Sequence, residues 1–335
     1  MNKKPLSYSI LELANVAAGG TIQQTLNDSV AVAQLAEQLG YQRFWLAEHH
    51  NAEFIGSSAT SVLIGYIAEK TSTIRVGSGG IMLPNHSPLI VAEQFGTLAH
   101  LYPNRIDLGL GRAPGTDQAT ARAIRTDFMN AAQHFPDDIA AIQQYFSADN
   151  KSAKVRATVA EGRDVPIYIL GSSTAGASVA ANLGLPYAFA SHFASTYLHA
   201  ALSIYQNGFQ PSAQLQQPYT MAGINVYLAD TPEEAVRLYT AHIRMFLGVL
   251  TGKHEGVQAP TDMTPDLREL MQHPALEQMI RYSFVGTKAT VKPQLEAFVK
   301  ETGVDELITV SIMCSVADRL KSVRLFAELM EEINT

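Results

Sequence analysis

Two adjacent histidines, His49 and His50, follow Glu48 at the end of a short apolar run, Phe44-Trp45-Leu46-Ala47. On an extended segment neighbouring side chains point to opposite sides, so the two rings do not easily share one metal ion. One ring can face a reaction centre, where an imidazole serves as base or hydrogen-bond donor, with Glu48 placed to orient His49. The other reading makes both rings structural. Gly79-Gly80 ends another apolar run without side chains, which suits either a bulge or the close approach of a flat ligand. Arg112, just after Gly109-Leu110-Gly111, offers a planar fork to a phosphate or to a rim carboxylate. Arg122, ten residues on, reads by default as a solvated charge. Gly171-Ser172-Ser173-Thr174 lies between an apolar run and a helical pattern. There, backbone N–H groups and hydroxyls either cradle a phosphate or simply cap a helix. His86 and His192 are candidates to line a pocket. Phe44, Trp45, Met82 and Phe193 are either an apolar substrate wall or core.

These residues are spaced by a repeating alternation of strand and helix. Strands are predicted near residues 8, 44, 76, 108, 168, 188, 225 and 309. Helices are predicted over 25–39, 59–70, 88–101, 127–146, 174–183, 197–208, 232–250 and 317–332. Repeated βα units imply a parallel sheet, and eight strands favour a closed (β/α)₈ TIM barrel over an open doubly wound sheet. Working residues of such a barrel sit at the C-terminal ends of strands, which is where the histidines, glycines and Arg112 fall. The 335 residues are expected to form one domain spanning 1–335. Residues 210–218 read as a Gln/Pro-rich connector. Residues 251–276, polar and carrying Pro260, Pro265 and Pro274, read as an excursion or lid.

Composition narrows the function. A formal net charge of −7, with no Lys/Arg run longer than two, argues against a nucleic-acid or acidic-membrane surface. Cys314 is the only cysteine, which leaves no intramolecular disulfide or multi-thiolate metal site and fits a cytoplasmic protein. No apolar run approaches the ~18 residues of a membrane span. The first apolar stretch alternates like a strand rather than a signal-peptide core. Gly109 to Gly115 loosely imitates a dinucleotide fingerprint, but it follows the fourth strand and no strand-ending acid comes about 20 residues later. Gly171 to Ala175 approaches a nucleophile elbow without visible acid or histidine partners. No HExxH or CxxC motif is present.

Taken in order, the motifs resemble the bacterial luciferase-like flavin monooxygenase family, in particular its stand-alone luciferase-like oxidoreductases. The matching pieces are Trp45 to His50, Val76 to Pro88, Ala92-Glu93-Gln94, Gly109 to Arg112, Gly115-Thr116-Asp117, Pro166 to Ser173, and Val285-Gly286-Thr287. The resemblance spans nearly the whole chain and implies a luciferase-like (β/α)₈ barrel holding reduced FMN as a dissociable co-substrate. It implies a cis peptide at Gly79-Gly80 beneath the flavin ring and phosphate contacts from Arg112, Gly171, Ser172 and Ser173, with Arg122 an outer one. It also implies His49 as the catalytic base. A flavin reductase would supply the reduced FMN, oxygen and a small organic molecule would be the other substrates, and a homodimer is expected. Two alternatives stay open: hydride transfer with a deazaflavin (F420), and a non-catalytic flavin-binding protein. The sequence also departs from luciferase. Gly111 stands where that enzyme has a reactive cysteine, and 251–276 does not match its long mobile loop, so light emission is not implied.

Overall fold

A computed structural model describes residues 5–253 and 255–335. Ten strands run in chain order: β1 (Ser7–Glu12), β2 (Arg43–Leu46), β3 (Arg75–Ser78), β4 (Ile81–Met82), β5 (Ile106–Gly111), β6 (Ile167–Gly171), β7 (Tyr187–Phe189), β8 (Thr220–Leu228), β9 (Ser283–Gly286) and β10 (Glu306–Val310). Every pairing between them is parallel. The path β10-β1-β2-β3-β5-β6-β7-β8 returns to β10 through Met221↔Glu306 to Asn225↔Val310, closing a barrel of eight. The eight predicted strand positions are these eight staves. The other two strands are additions to the wall: β4 pairs with β5, and β9 with the far half of β8.

Parallel neighbours need crossovers, and helices supply them. Ile22–Gln38 starts where the Thr21 side chain accepts from Gln24 N–H and stops at Gly40, whose φ of +75° admits the turn. Pro88–Leu101 and Thr174–Leu183 match their predicted spans. The segment predicted as one helix over 127–146 is two, Phe128–Gln133 and Phe135–Phe146, because Pro136 begins a new helix rather than continuing the old one. Within 251–276 a short helix, Pro265–Leu270, packs Leu267 beneath Pro232–Thr251.

Period-two alternation sorts the wall into two layers. Outward residues such as Ile10, Phe44, Leu46, Val76, Leu108 and Ile169 form one large cluster with the helices. Inward residues such as Leu11, Trp45, Tyr168, Met221 and Ile308 fill the barrel. Below them, at the strand beginnings, lies a buried ionic floor. Arg43 reaches Glu306 at 2.8 Å and Asp107 at 2.7 Å, Arg75 reaches Asp107 at 2.6 Å, and Trp45 Nε1 donates to Asp107 at 3.0 Å. Two cations face two anions there, so the floor is neutral as a set. It sits at the barrel end associated with stability, opposite the C-terminal rim.

Candidate active site

The alternation that packs the barrel also sets the chemistry of its mouth. Along the β2 strand and its continuation, Arg43, Trp45 and Ala47 point inward, so His49 does too, while Glu48 and His50 face outward. His49 is half-buried, and its Nδ1 has no partner. Burial pushes its pKa down, Glu48 pulls it up and His50 adds to the lowering. The ring is therefore neutral near pH 7 and able to take a proton.

Glu48 does not orient His49. Being on the outward face, its carboxylate accepts from His50 Nε2 at 2.8 Å and from His86 Nε2 at 2.9 Å. Asn85 Nδ2 and the Met82 N–H each donate at 3.0 Å. Burial raises its pKa, but these donors outweigh burial and hold it at about 2. An ionised carboxylate only accepts, so each histidine donates from Nε2. Among the described residues no three such side chains are arranged to hold a metal ion.

The Gly79–Gly80 peptide is cis. A Cβ at Gly79 would lie 2.6 Å from Leu11 Cδ1, and one at Gly80 would lie 2.8 Å from both the Gly109 carbonyl oxygen and Leu170 Cδ1. The pair therefore sits against the inner faces of β1, β5 and β6. The inward positions of β3 and β5 above the floor, with the residue just past β3, are all glycine: Gly77, Gly79, Gly109 and Gly111. That alternating glycine pattern was readable in the sequence as a wall without side chains, and the motif reading passed over it.

Arg112 leaves β5, and Ser172 leaves β6. These strands are neighbours, with Leu110 opposite Ile169, so the arginine and the serine turn emerge side by side at the same end. Arg112 is exposed and makes no hydrogen bond or ion pair with a described residue. Ser173 is the N-cap of Thr174–Leu183, yet its hydroxyl does not cap it, and the first N–H groups of that helix face the same space. Gly171 packs beneath the turn against the Tyr187 hydroxyl. Arg122 is exposed on Gln118–Ile124 and likewise makes no hydrogen bond or ion pair with a described residue. The structure brings Gly80, Leu170 and the β5–β6 end together.

Across the barrel, His192 follows β7. It is 7% exposed, its Nδ1 is unpartnered, and Asn225 Nδ2 donates to its carbonyl at 2.7 Å. Burial, with a contribution from His49, holds its pKa at about 3. Phe193 packs edge-on against it with ring centroids 4.9 Å apart and remains 42% exposed, available as wall. Phe44 and Trp45, by contrast, are fully buried core. Met82 lies over Gly111. Two clefts of about 180 and 260 Å³ share Gly256. The first is lined by 16–20 after β1 and Glu53-Phe54 after β2, and the second by the end of Pro232–Thr251 and the chain beyond it. None of the predicted site residues lines either one.

A closed parallel (β/α)₈ barrel with a glycine wall, an inward histidine, and an exposed arginine beside a serine turn at one arc of its rim defines the candidate site. The family described as luciferase-like monooxygenase matches residues 7–306, and the chain belongs to it. A luciferase-like monooxygenase of Escherichia coli (strain K12) is 42% identical over 333 residues, covering 99% of each chain. The N-acetyl-S-alkylcysteine monooxygenase of Bacillus subtilis (strain 168) is 40% identical over 189 residues, 55% of this chain and 57% of the relative. The apo structure of MsnO8 superimposes with a TM-score of 0.88 at 33% identity, covering 97% of this chain and 98% of the other. More distant structures share the fold alone. One is a type II Baeyer-Villiger monooxygenase from Pseudomonas putida in complex with FMN (TM-score 0.72, 16% identity, 97% of each chain). Another is an F420-dependent secondary alcohol dehydrogenase (TM-score 0.72, 15% identity, 97% and 98%). The protein is a monooxygenase-type oxidoreductase.

Proposed function

We propose that this enzyme binds reduced FMN across the C-terminal mouth of its barrel and uses it with molecular oxygen to oxygenate a small organic substrate. The observation that carries the proposal is the pairing of Arg112 with Ser172-Ser173 at adjacent strand ends, with guanidinium, hydroxyl and helix N–H groups all unspent. Such a set is suited to a dianionic phosphate. Arg112, Ser172 and Ser173 would hold the phosphate, with Gly171 leaving room and Arg122 adding an outer positive charge. Gly79 and Gly80 would lie beneath the flat ring. When bound, the flavin supplies the electrons that activate oxygen.

The chain's own side chains do the rest. His49, inward and neutral, takes or holds a proton at its ring. His192 and Phe193 close the opposite wall. The inward apolar cluster, with Leu13, Leu170 and Ile312, excludes water from the reacting groups. The described part of the predicted lid beyond residue 254, 255–276, would cover this mouth: Val257 forms a β-bridge with Ala17 and is itself buried in the inward cluster. Reduced FMN comes from a separate flavin reductase in the cytoplasm, and the enzyme works as a homodimer of single-domain chains. Among the described residues no helix is long and apolar enough to cross a membrane.

FMN is preferred to a deazaflavin because two relatives above 30% identity, those of Escherichia coli and Bacillus subtilis, are named as monooxygenases. Thioethers belong in the substrate panel, given what one of those relatives is named for. Oxygen consumption with FMN and a flavin reductase should rise on addition of one panel member and fall to background in His49→Ala with FMN affinity retained. Turnover with reduced deazaflavin alone, or His49→Ala with full activity, contradicts the proposal.

A further inference from the structure

Glu48 takes no part in the roles above: its side chain faces away from the mouth, out of reach of any ligand there. Yet at 1% exposure it receives donors from more than one rim segment. His50 belongs to its own segment. Met82, Asn85 and His86 belong to the segment that begins two residues after Gly80. A third segment, beginning two residues after Arg112, is tied to the same group. Asn85 Nδ2 donates to the Pro114 carbonyl at 2.9 Å as well as to Glu48. The His50 N–H donates to the Gly115 carbonyl at 3.1 Å, and the Thr116 hydroxyl to the His50 carbonyl at 3.0 Å. Gly115, at φ +66°, lets this third segment press onto the Glu48 backbone, since a Cβ there would lie 2.6 Å from the Glu48 carbonyl oxygen. One buried carboxylate thus anchors the chain leaving the glycine pair directly, and the chain leaving the rim arginine through Asn85 and the Glu48-His50 backbone.

We propose that Glu48 is a positioning residue that sets the Arg112 loop relative to the Gly79–Gly80 strand end, so that ring and phosphate of one cofactor are held together. The inference rests on the FMN reading and deepens it. It differs from a merely structural role in a measurable way. A structural anchor lowers the melting temperature and leaves ligand discrimination alone. A positioning residue changes how much the phosphate contributes to binding.

The test is equilibrium titration of the whole protein with FMN and with riboflavin, which lacks the phosphate. In the wild type FMN should bind at least about tenfold more tightly, the equivalent of one charge-assisted contact. Glu48→Gln should shrink that advantage by about tenfold while riboflavin affinity changes little. Asn85→Ala, which cuts the tie to Pro114 and leaves the carboxylate in place, should move the ratio the same way and serves if Glu48→Gln does not fold. Variants that keep the wild-type ratio overturn this inference and leave the FMN reading standing. A wild type that does not prefer FMN to riboflavin overturns both.

Discussion

The imidazole of His192 occupies the space that a side chain at position 223 would need: a Cβ on Gly223 would run into His192 Nδ1 and lie 3.3 Å from its Cγ. The ring cannot easily retreat, because Asn225 holds its carbonyl and the Ser191 hydroxyl donates to the Gly223 carbonyl at 2.6 Å. Gly223→Ala should therefore cost about 1–3 kcal/mol through overpacking. Urea unfolding reads this directly, and a midpoint equal to the wild type's would show that the ring yields freely.

His242 is fully buried on Pro232–Thr251, stacked on Tyr239 and edge-on to Phe246, with both ring nitrogens unpartnered. Burial, then His192, holds its pKa at about 3, as burial and His49 do for His192. An unfolded histidine protonates near pH 6.5, so between there and about pH 3 the unfolded chain binds more protons than the fold. Stability must then fall as pH drops below about 6.5, by roughly 1.4 kcal/mol per pH unit for each ring. His242→Phe removes two unsatisfied polar atoms from an aromatic cage. It should gain about 1 kcal/mol at neutral pH and make the acid limb shallower by about one proton. Thermal melts from pH 4 to 8 check both signs, and an unchanged acid limb would refute the assignment.

Arg112 is exposed and pairs with none of the described residues, so it contributes nothing visible to the fold. Arg112→Ala should leave unfolding within about 0.5 kcal/mol of the wild type and weaken FMN by about 10- to 100-fold. Fluorescence titration against a parallel denaturant curve separates the two effects. A loss of stability with unchanged affinity would reverse the assignment.

The floor behaves oppositely. Arg43→Met leaves Glu306 and part of Asp107 buried without their cation and should destabilise by about 3–5 kcal/mol. Denaturant unfolding is the measure, and a change below about 1 kcal/mol would mean the floor is not a coupled network.

Much of this architecture was legible in the residues. Staves such as β6 and β10 are largely apolar runs, β1 alternates, and helices such as Thr174–Leu183 show a three-to-four period. What escaped was short or mixed in character. β4 has only two residues and shows no period, while Lys288–Thr302 carries Pro293 in a polar stretch that masks the helical spacing of its buried Val291, Leu295, Phe298 and Thr302. The break at Pro136 had its signal in the proline itself. The alternation that separated His49 from His50 also puts Glu48 beside His50, so the misassigned partner of Glu48 was readable. Its tie to Asn85 and His86 was not, because those residues come from another strand end and only the closed barrel brings them near.

A crystal structure of the enzyme with FMN bound tests the central claim most directly. The phosphate should lie within hydrogen-bond distance of Arg112 and of the Ser172-Ser173 turn, with the ring beside Gly79-Gly80 and facing His49. A flavin seated instead in the cleft between residues 16–20 and Gly256, with Arg112 still free in solvent, would contradict it.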